Sequence, residues 1–466
     1  MTWWLWLVGC AGDGEGPQRP PPAPTSGETG VPPLIPGCQL DPRNVIRLQC
    51  LTERDAVGPL EVRVTGGDWD EPVVFPGDPG AASQVVAVWD LLERTPYRWE
   101  LVDRGEVVDA GEVETDALEP SLSPMLTPLI DAPSSAARTV FALTCSGGSA
   151  LYAVDTLGRT RWYQDLSSRS YVSGFDVTDR GSVLAILGRV ELGEWSFGGA
   201  ETRWPYPTAI PELVHHSVLG QGGETLILDA EARQYPDGDY VVDGVTELAD
   251  GEARHRWDVA EVVDPVGLTG GDALYWASYF PGAIDFGHAN SLVRTADGGL
   301  LLSFKHLGVI LKLDPDDQVE WWLPGRAPEV WFDAPLLSLG SSVGLDAAFE
   351  AQHHVTELPS GDLLVYDNGE DGALSRVIQL HPDLSALTAD VVREWPIGLV
   401  CPVQSSAFLL DDGALLVACA TAHQLLELDQ AGVRRQVSVG CGDGGIGTSF
   451  VRAEPVVSLA PLTAAR

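Results

Sequence analysis

The chain has 466 residues and a formal net charge of −39, with 51 glycines and 34 prolines. So acidic a surface repels nucleic acid and anionic membranes, which excludes both as docking surfaces, and no run beyond the N-terminus has the length of a membrane helix. Strand-like runs separated by Gly/Pro turn clusters predict an all-β architecture, and the length predicts two or three domains.

The first element is a short apolar run, Trp3-Trp4-Leu5-Trp6-Leu7-Val8-Gly9, ending at Cys10. Leu7-Val8-Gly9-Cys10 resembles the lipobox of bacterial lipoprotein signal peptides, although the segment is short and lacks a Lys or Arg ahead of the run. The resemblance implies removal of residues 1–9 and lipidation of Cys10. Residues 10–36 are rich in Pro, Gly, Ser and Thr without periodicity and read as a tether. The expectation is an exported protein, periplasmic or on the outer-membrane surface, that meets the membrane only through its lipid. Ala11 rather than Asp follows the cysteine, so inner-membrane retention is not indicated. Six further cysteines, Cys38, Cys50, Cys145, Cys401, Cys419 and Cys441, suit disulfides in an exported chain. Cys38–Cys50 and Cys401–Cys419 each flank one hairpin-sized segment, which leaves Cys145 with Cys441.

Residues 37–118 hold strand-like runs around Val45–Leu48, Leu60–Val64, Ser83–Val88 and Tyr97–Val102. Their spacing predicts a small β-sandwich, and Leu91–Trp99 resembles the turn-then-strand of fibronectin type III-like and immunoglobulin-like sandwiches. No chemistry is visible there; a spacer or a homodimer contact is the default role.

From about residue 139 two half-patterns alternate. One is an apolar run, a glycine turn and a second apolar run, at Gly181, Gly223, Gly298, Gly361 and Gly413. The other is a strand ending in an acidic turn, followed by a strand that often carries Trp, as at Asp155 with Trp162 and Asp314 with Trp321 and Trp322. Four short strands per unit and about six units predict a six-bladed β-propeller over residues 119–466, closed by Val456–Leu459 against the blade of Cys145. A solenoid or stacked sandwiches are the alternatives.

Three successive units open on histidine: His215-His216, His288-Ala289-Asn290, and Gln352-His353-His354. The innermost strand of a blade lines the central channel, so equivalent starts converge in one pocket. Strand alternation allows one residue of each adjacent pair to face it, the other turning into the blade. The chain has two lysines, and one of them, Lys305, lies in the unit of His288 beside His306, where strand phase sets it opposite Phe304 and His306. It reads either as a solvated strand charge or as a cation that holds an anion near the histidines. Trp276 and Tyr279, just before His288, form either an aromatic wall for an aryl ligand or the packing of a long loop.

Asp285–Ser291, Ser303-Phe304-Lys305-His306, Gln352-His353-His354, Tyr366–Gly369 and the ending Phe450–Pro455 resemble the motifs of bacterial arylsulfate sulfotransferases over roughly residues 118–460. The resemblance implies a six-bladed propeller behind a small β domain. It also implies transfer of a sulfuryl group from a phenolic sulfate to a phenol, without nucleotide or other cofactor, through a sulfated histidine. Residue by residue it makes His353 the nucleophile, with His288 and His216 assisting. Lys305 stands where the family more often has arginine, which keeps the charge and loses the bidentate fork. Asn290, His306, His354, Trp276 and Tyr279 are the candidate substrate contacts. Two other classes remain open: a propeller that binds a ligand or protein without catalysis, and a metalloenzyme with His216, His288 and His353 as zinc or copper ligands.

Overall fold

The alternating half-patterns are a turn code. In the computed structural model Gly361 takes a left-handed φ of 82° at its hairpin, where a side chain would be strained. In the acidic turns the carboxylate replaces a backbone partner. Asp155 Oδ1 accepts the N–H groups of Leu157 and Arg159 at 3.0 Å, and Asp314 Oδ1 accepts those of Asp316 and Gln318 at 2.9 Å. The structure describes residues 36–51, 60–77, 85–166, 171–189, 191–205, 213–249, 252–268, 276–326, 330, 332–341, 343–369, 372–444, 450–456 and 459. Cys10 and the tether to residue 35 lie outside them.

Two sheets make the N-terminal sandwich. One joins Gly37–Asp41, Asn44–Leu51 and Val85–Val88, and the other Trp69–Pro76, Leu60–Gly66, Pro96–Asp103 and Glu106–Glu114. Inward Val62 and Val64 alternate with half-buried residues, and inward Tyr97 and Trp99 with exposed ones, as a sheet with one solvated face requires. Cys38 and Cys50 are bonded across the first pair of strands. The sandwich packs on the first sheet of the repeat region: Arg138 Nη2 meets Asp90 Oδ2 at 2.7 Å, Asn44 Nδ2 donates to the Tyr163 carbonyl at 2.8 Å, and Arg161 pairs with Asp68.

In the repeat region the described residues form six sheets of four or five strands, antiparallel except where Ile284–Asp285 and Ser338–Ser341 add on in parallel. Their innermost strands are Ala453–Val456 in the first blade, then Val172–Val177, Leu213–Gln221, Ala289–Arg294, Val355–Glu357 and Ser406–Leu409. These strands, with Leu363–Asp367 beside Val355–Glu357, touch one another in succession and the last touches the first, so the sheets close a ring: a β-propeller. Buried indoles from the blades, Trp162, Trp195, Trp322 and Trp395 among them, fill the space between sheets.

Ring closure differs from the sequence expectation in two details. The closing strand is Ala453–Val456, paired with Arg138–Cys145, a few residues ahead of the expected Val456–Leu459. The sixth blade also takes an outer strand, Pro124–Ile130, from ahead of the first repeat, paired with Gly432–Cys441. Five of that strand's seven residues are exposed although most are apolar, and its two prolines and its place ahead of the first repeat keep it out of the repeat pattern. The Cys145–Cys441 disulfide ties the first blade to the sixth across this seam, and Cys401–Cys419 ties the connection from the fifth blade to a strand of the sixth.

Candidate functional site

The inner strands of the third, fourth and fifth blades deliver their histidines to one end of the ring, but not by regular alternation. His216 and His288 have φ of 56° and 52°, left-handed values that cost energy for a residue with a Cβ and that concentrate where geometry serves function. The pairing of Leu213–Gln221 breaks register between Val214 and Val218 around His216. Both rings of the His215-His216 pair therefore lie together, centroids 5.0 Å apart. Only His216 of this pair lines the cavity, while His215 is buried against Asp243 of its own blade. The expected split fails at His353-His354, because the strand begins at Val355, Ala351 ahead of it is left-handed, and both imidazoles line the cavity. Gly174 of the second blade permits the close approach: a Cβ there would sit 2.3 Å from the His216 carbonyl.

The cavity on the ring axis is lined by Ser173, His216, Asn290, His353, His354, Gln404, Ser405, Val451 and Arg452. The His216 ring lies 5.0 Å from His288 and 6.2 Å from His353. His306 is 4.7 Å from His288, and Trp276 is buried against His215, His216 and His288. Tyr279 stands half-buried beside Trp276, with ring centroids 6.1 Å apart. Lys305 is half-buried in the turn that comes after Phe304 rather than in the strand, so its expected strand phase does not apply. Asn290 donates from Nδ2 to the Gln352 carbonyl at 2.7 Å, and Gln352 anchors the fifth blade's entry by donating to the Phe304 and Val309 carbonyls. The structure thus brings His216, Asn290, His353 and His354 to one cavity, with His288 and Trp276 packed behind His216, His306 against His288, and the Lys305 charge close to His288 and His353.

Hydrogen bonds fix the tautomers. His353 Nδ1 has two acceptors, the Ala351 carbonyl at 3.1 Å and Asn368 Oδ1 at 3.0 Å. The Asn368 amide is oriented by donating Nδ2 to the carbonyls of Cys401 and Gln404, so Oδ1 faces the imidazole. Nδ1 therefore carries the proton and Nε2 the lone pair. His288 Nδ1 bonds Asp285 Oδ2 at 2.6 Å with the same result. His216 Nδ1 lies 2.8 Å from His215 Nδ1, and His215 Nε2 lies 3.1 Å from Asp243 Oδ1. With Asp243 accepting from His215, the relay again puts the lone pair of His216 on Nε2.

Burial, reinforced by the Lys305 ammonium, pushes the His353 imidazolium down to about 3. Burial first, then the neighbouring His288, holds His216 well below the usual histidine range; for His288 burial is followed by His306 and Lys305. His354 is held down by burial and then by Arg452. All four are neutral bases at pH 7. One group among the described residues, Asp285 with His288 and His306, has ligand atoms close enough to share a metal ion. Both imidazoles already bond Asp285, and the Lys305 charge beside His288 opposes a second cation.

Sequence reasoning missed Asp243, Asp285, Asn368 and Arg452. Asp285, Asn368 and Arg452 lie inside the family-like motifs, whereas Asp243 carries no local signal.

Several solved structures are similar to this chain at low identity. A protein of unknown function from Bacteroides caccae is 14% identical, with 69% of this chain and 99% of that chain covered at a TM-score of 0.39. Virginiamycin B lyase from Staphylococcus aureus is 12% identical, with 57% and 69% covered at 0.32. BamB from Moraxella catarrhalis is 13% identical, with 76% and 91% covered at 0.31. The fold assignment rests on the sheet topology and not on these likenesses. No curated protein sequence matches the chain. The family profile described as Arylsulfotransferase (ASST) matches residues 129–383, more than half of the 466 residues and a span that holds His216, His288, His353 and His354. The chain belongs to the arylsulfotransferase family.

Proposed function

We propose that the protein moves a sulfuryl group from an aryl sulfate to a phenol, without a nucleotide donor, through a sulfated His353. The observation that carries this is the bonding of His353: Nδ1 is held by two acceptors, so a neutral ring in a shared cavity offers Nε2 as the nucleophile. Arrival of the anionic donor favours a proton on His288 or His216, because an opposite charge raises a buried imidazole's affinity for it. Nε2 attacks sulfur as the sulfur–oxygen bond to the aryl group breaks. The phenolate leaves with that electron pair and takes the proton from the assisting histidine. In the second half that histidine, now neutral, accepts the acceptor phenol's proton, the phenol oxygen attacks sulfur, and the nitrogen–sulfur bond breaks. Lys305 and Asn290 hold the sulfuryl oxygens, whose charge is spread much as in phosphoryl transfer.

The test is intact mass after exposure to 4-nitrophenyl sulfate, with peptide mapping at alkaline pH and a burst assay for nitrophenol. His353→Ala loses the burst and the adduct, while His354→Ala keeps both. An adduct on His354, or none on wild type with any aryl sulfate, sinks the assignment and favours the non-catalytic propeller.

The same reading places the chain outside the cytoplasm, anchored through a lipid on Cys10. Three disulfides support an oxidising compartment. Cys10→Ser is expected to move the protein from the membrane to the soluble fraction; equal fractionation of variant and wild type refutes the anchor.

A further inference from the structure

Arg189 lies in the turn between the strands Ser182–Leu187 and Glu191–Ser196 of the second blade, with a left-handed φ of 64°. It is 7% exposed. Its guanidinium carbon sits 4.5 Å from the Trp276 ring centroid, 5.2 Å from Tyr279 and 5.7 Å from Tyr171. Among the described residues it forms no ion pair, and its buried Nε has no hydrogen-bond partner. The other buried arginines behave differently: Arg47 faces Asp41, Arg161 faces Asp155 and Asp68, and Arg435 faces Glu427. The contrast arises in a chain with 67 acidic residues, where a carboxylate partner is easily supplied.

A guanidinium withdrawn from water without a counter-ion is costly, and three aromatic faces recover part of that cost. What remains uncompensated is charge and a fork of N–H donors, matched to a planar carboxylate. Trp276 links this place to the histidines, since it touches Arg189 and also packs on His216 and His288, their ring centroids 6.3 and 5.9 Å from its own. Tyr171 and Tyr279 are half-buried, so the aromatic frame around Arg189 reaches solvent at its edge. The protein's overall field repels a doubly negative ligand, so holding one needs a local cation beyond Lys305.

We propose that Arg189, framed by Tyr171, Trp276 and Tyr279, is a second anion subsite, and that the preferred aryl substrate carries a carboxylate on its ring. The proposal rests on the sulfotransfer reading for what happens at the histidines; its binding test does not.

The experiment is calorimetric titration of the full chain at pH 7 with 4-hydroxybenzoate and with its neutral isostere 4-hydroxybenzamide. Wild type is expected to bind the carboxylate at least about tenfold more tightly, the size of one charge-assisted pair. Arg189→Met removes that preference, and Arg189→Lys, which keeps charge and loses the fork, restores part of it. Equal affinities in wild type overturn the proposal whether or not the variants fold. So does a preference that survives Arg189→Met and disappears in Lys305→Met, because the carboxylate then sits at the lysine. A carboxylate preference without any sulfated histidine sinks the transferase reading alone; sulfated His353 with no preference sinks the subsite alone.

Discussion

At the scale of single residues, each histidine in this cavity has its Nδ1 settled before any substrate arrives. The most elaborate case is the Asp243–His215–His216 relay, in which two buried groups orient a third. Asp243 also receives the backbone N–H of Ala289, which links the third blade to the fourth; burial raises its carboxyl, while His215 acts against that rise. Asp243→Asn keeps the shape but can present N–H where His215 needs an acceptor, and the wrong tautomer then propagates to His216. The expected result is a fall in kcat of about 10²-fold, within the range that one general acid–base group contributes. The sulfated His353 intermediate should still form, more slowly, because its own hydrogen bonds are untouched. An unchanged kcat and pH–rate profile in Asp243→Asn would show that His216 does not act as acid or base.

At the scale of elements, the two seams on either side of the second blade's inner strand carry an unusual load. Glu454 of the closing strand accepts the backbone N–H of Val177 at 2.9 Å, and Asp176 beside it accepts that of Gly220 at 2.8 Å. Burial, and then the Glu454 charge, pushes the Asp176 carboxyl up to about 7. Burial likewise raises Glu454, although Arg452 opposes it. An acid raised in the folded state favours folding below its unfolded value near 3.8, and that contribution is lost as pH rises through about 7. Asp176→Asn cannot ionise yet can still accept from Gly220. It should be more stable than wild type at pH 8 by on the order of 1 kcal/mol and indistinguishable at pH 4. Melting curves at the two pH values check this; a gain of equal size at both would refute the ionisation account. Much of this architecture was legible in the sequence, because period-two apolar runs and Gly or Asp turns are local signals. The convergence of His216, His288 and His353 came from equivalent positions in successive repeats. What escaped were features that local rules cannot carry. Left-handed His216 and His288 override alternation, Pro124–Ile130 pairs as an exposed outer strand from outside the repeats, and Arg189 gains meaning only from aromatic residues about ninety positions away in Trp276 and Tyr279.

At the scale of the whole molecule, the charge of −39 and the chemistry of the cavity pull in opposite directions. The long-range field turns anions away, whereas three cations, Lys305, Arg189 and Arg452, lie among the aromatic and imidazole rings of the cavity and its surroundings. The ring that holds them is closed by Ala453–Val456 against Arg138–Cys145, by Pro124–Ile130 against Gly432–Cys441, and by the Cys145–Cys441 bond. Each of these links joins segments some three hundred residues apart, contacts of the kind that form slowly and late. A ribosome or an export channel delivers the chain from its N-terminus, so the first blade emerges without its inner strand and waits through five more blades for it. Until residue 456 has appeared, the fragment keeps an open sheet edge and no finished cavity.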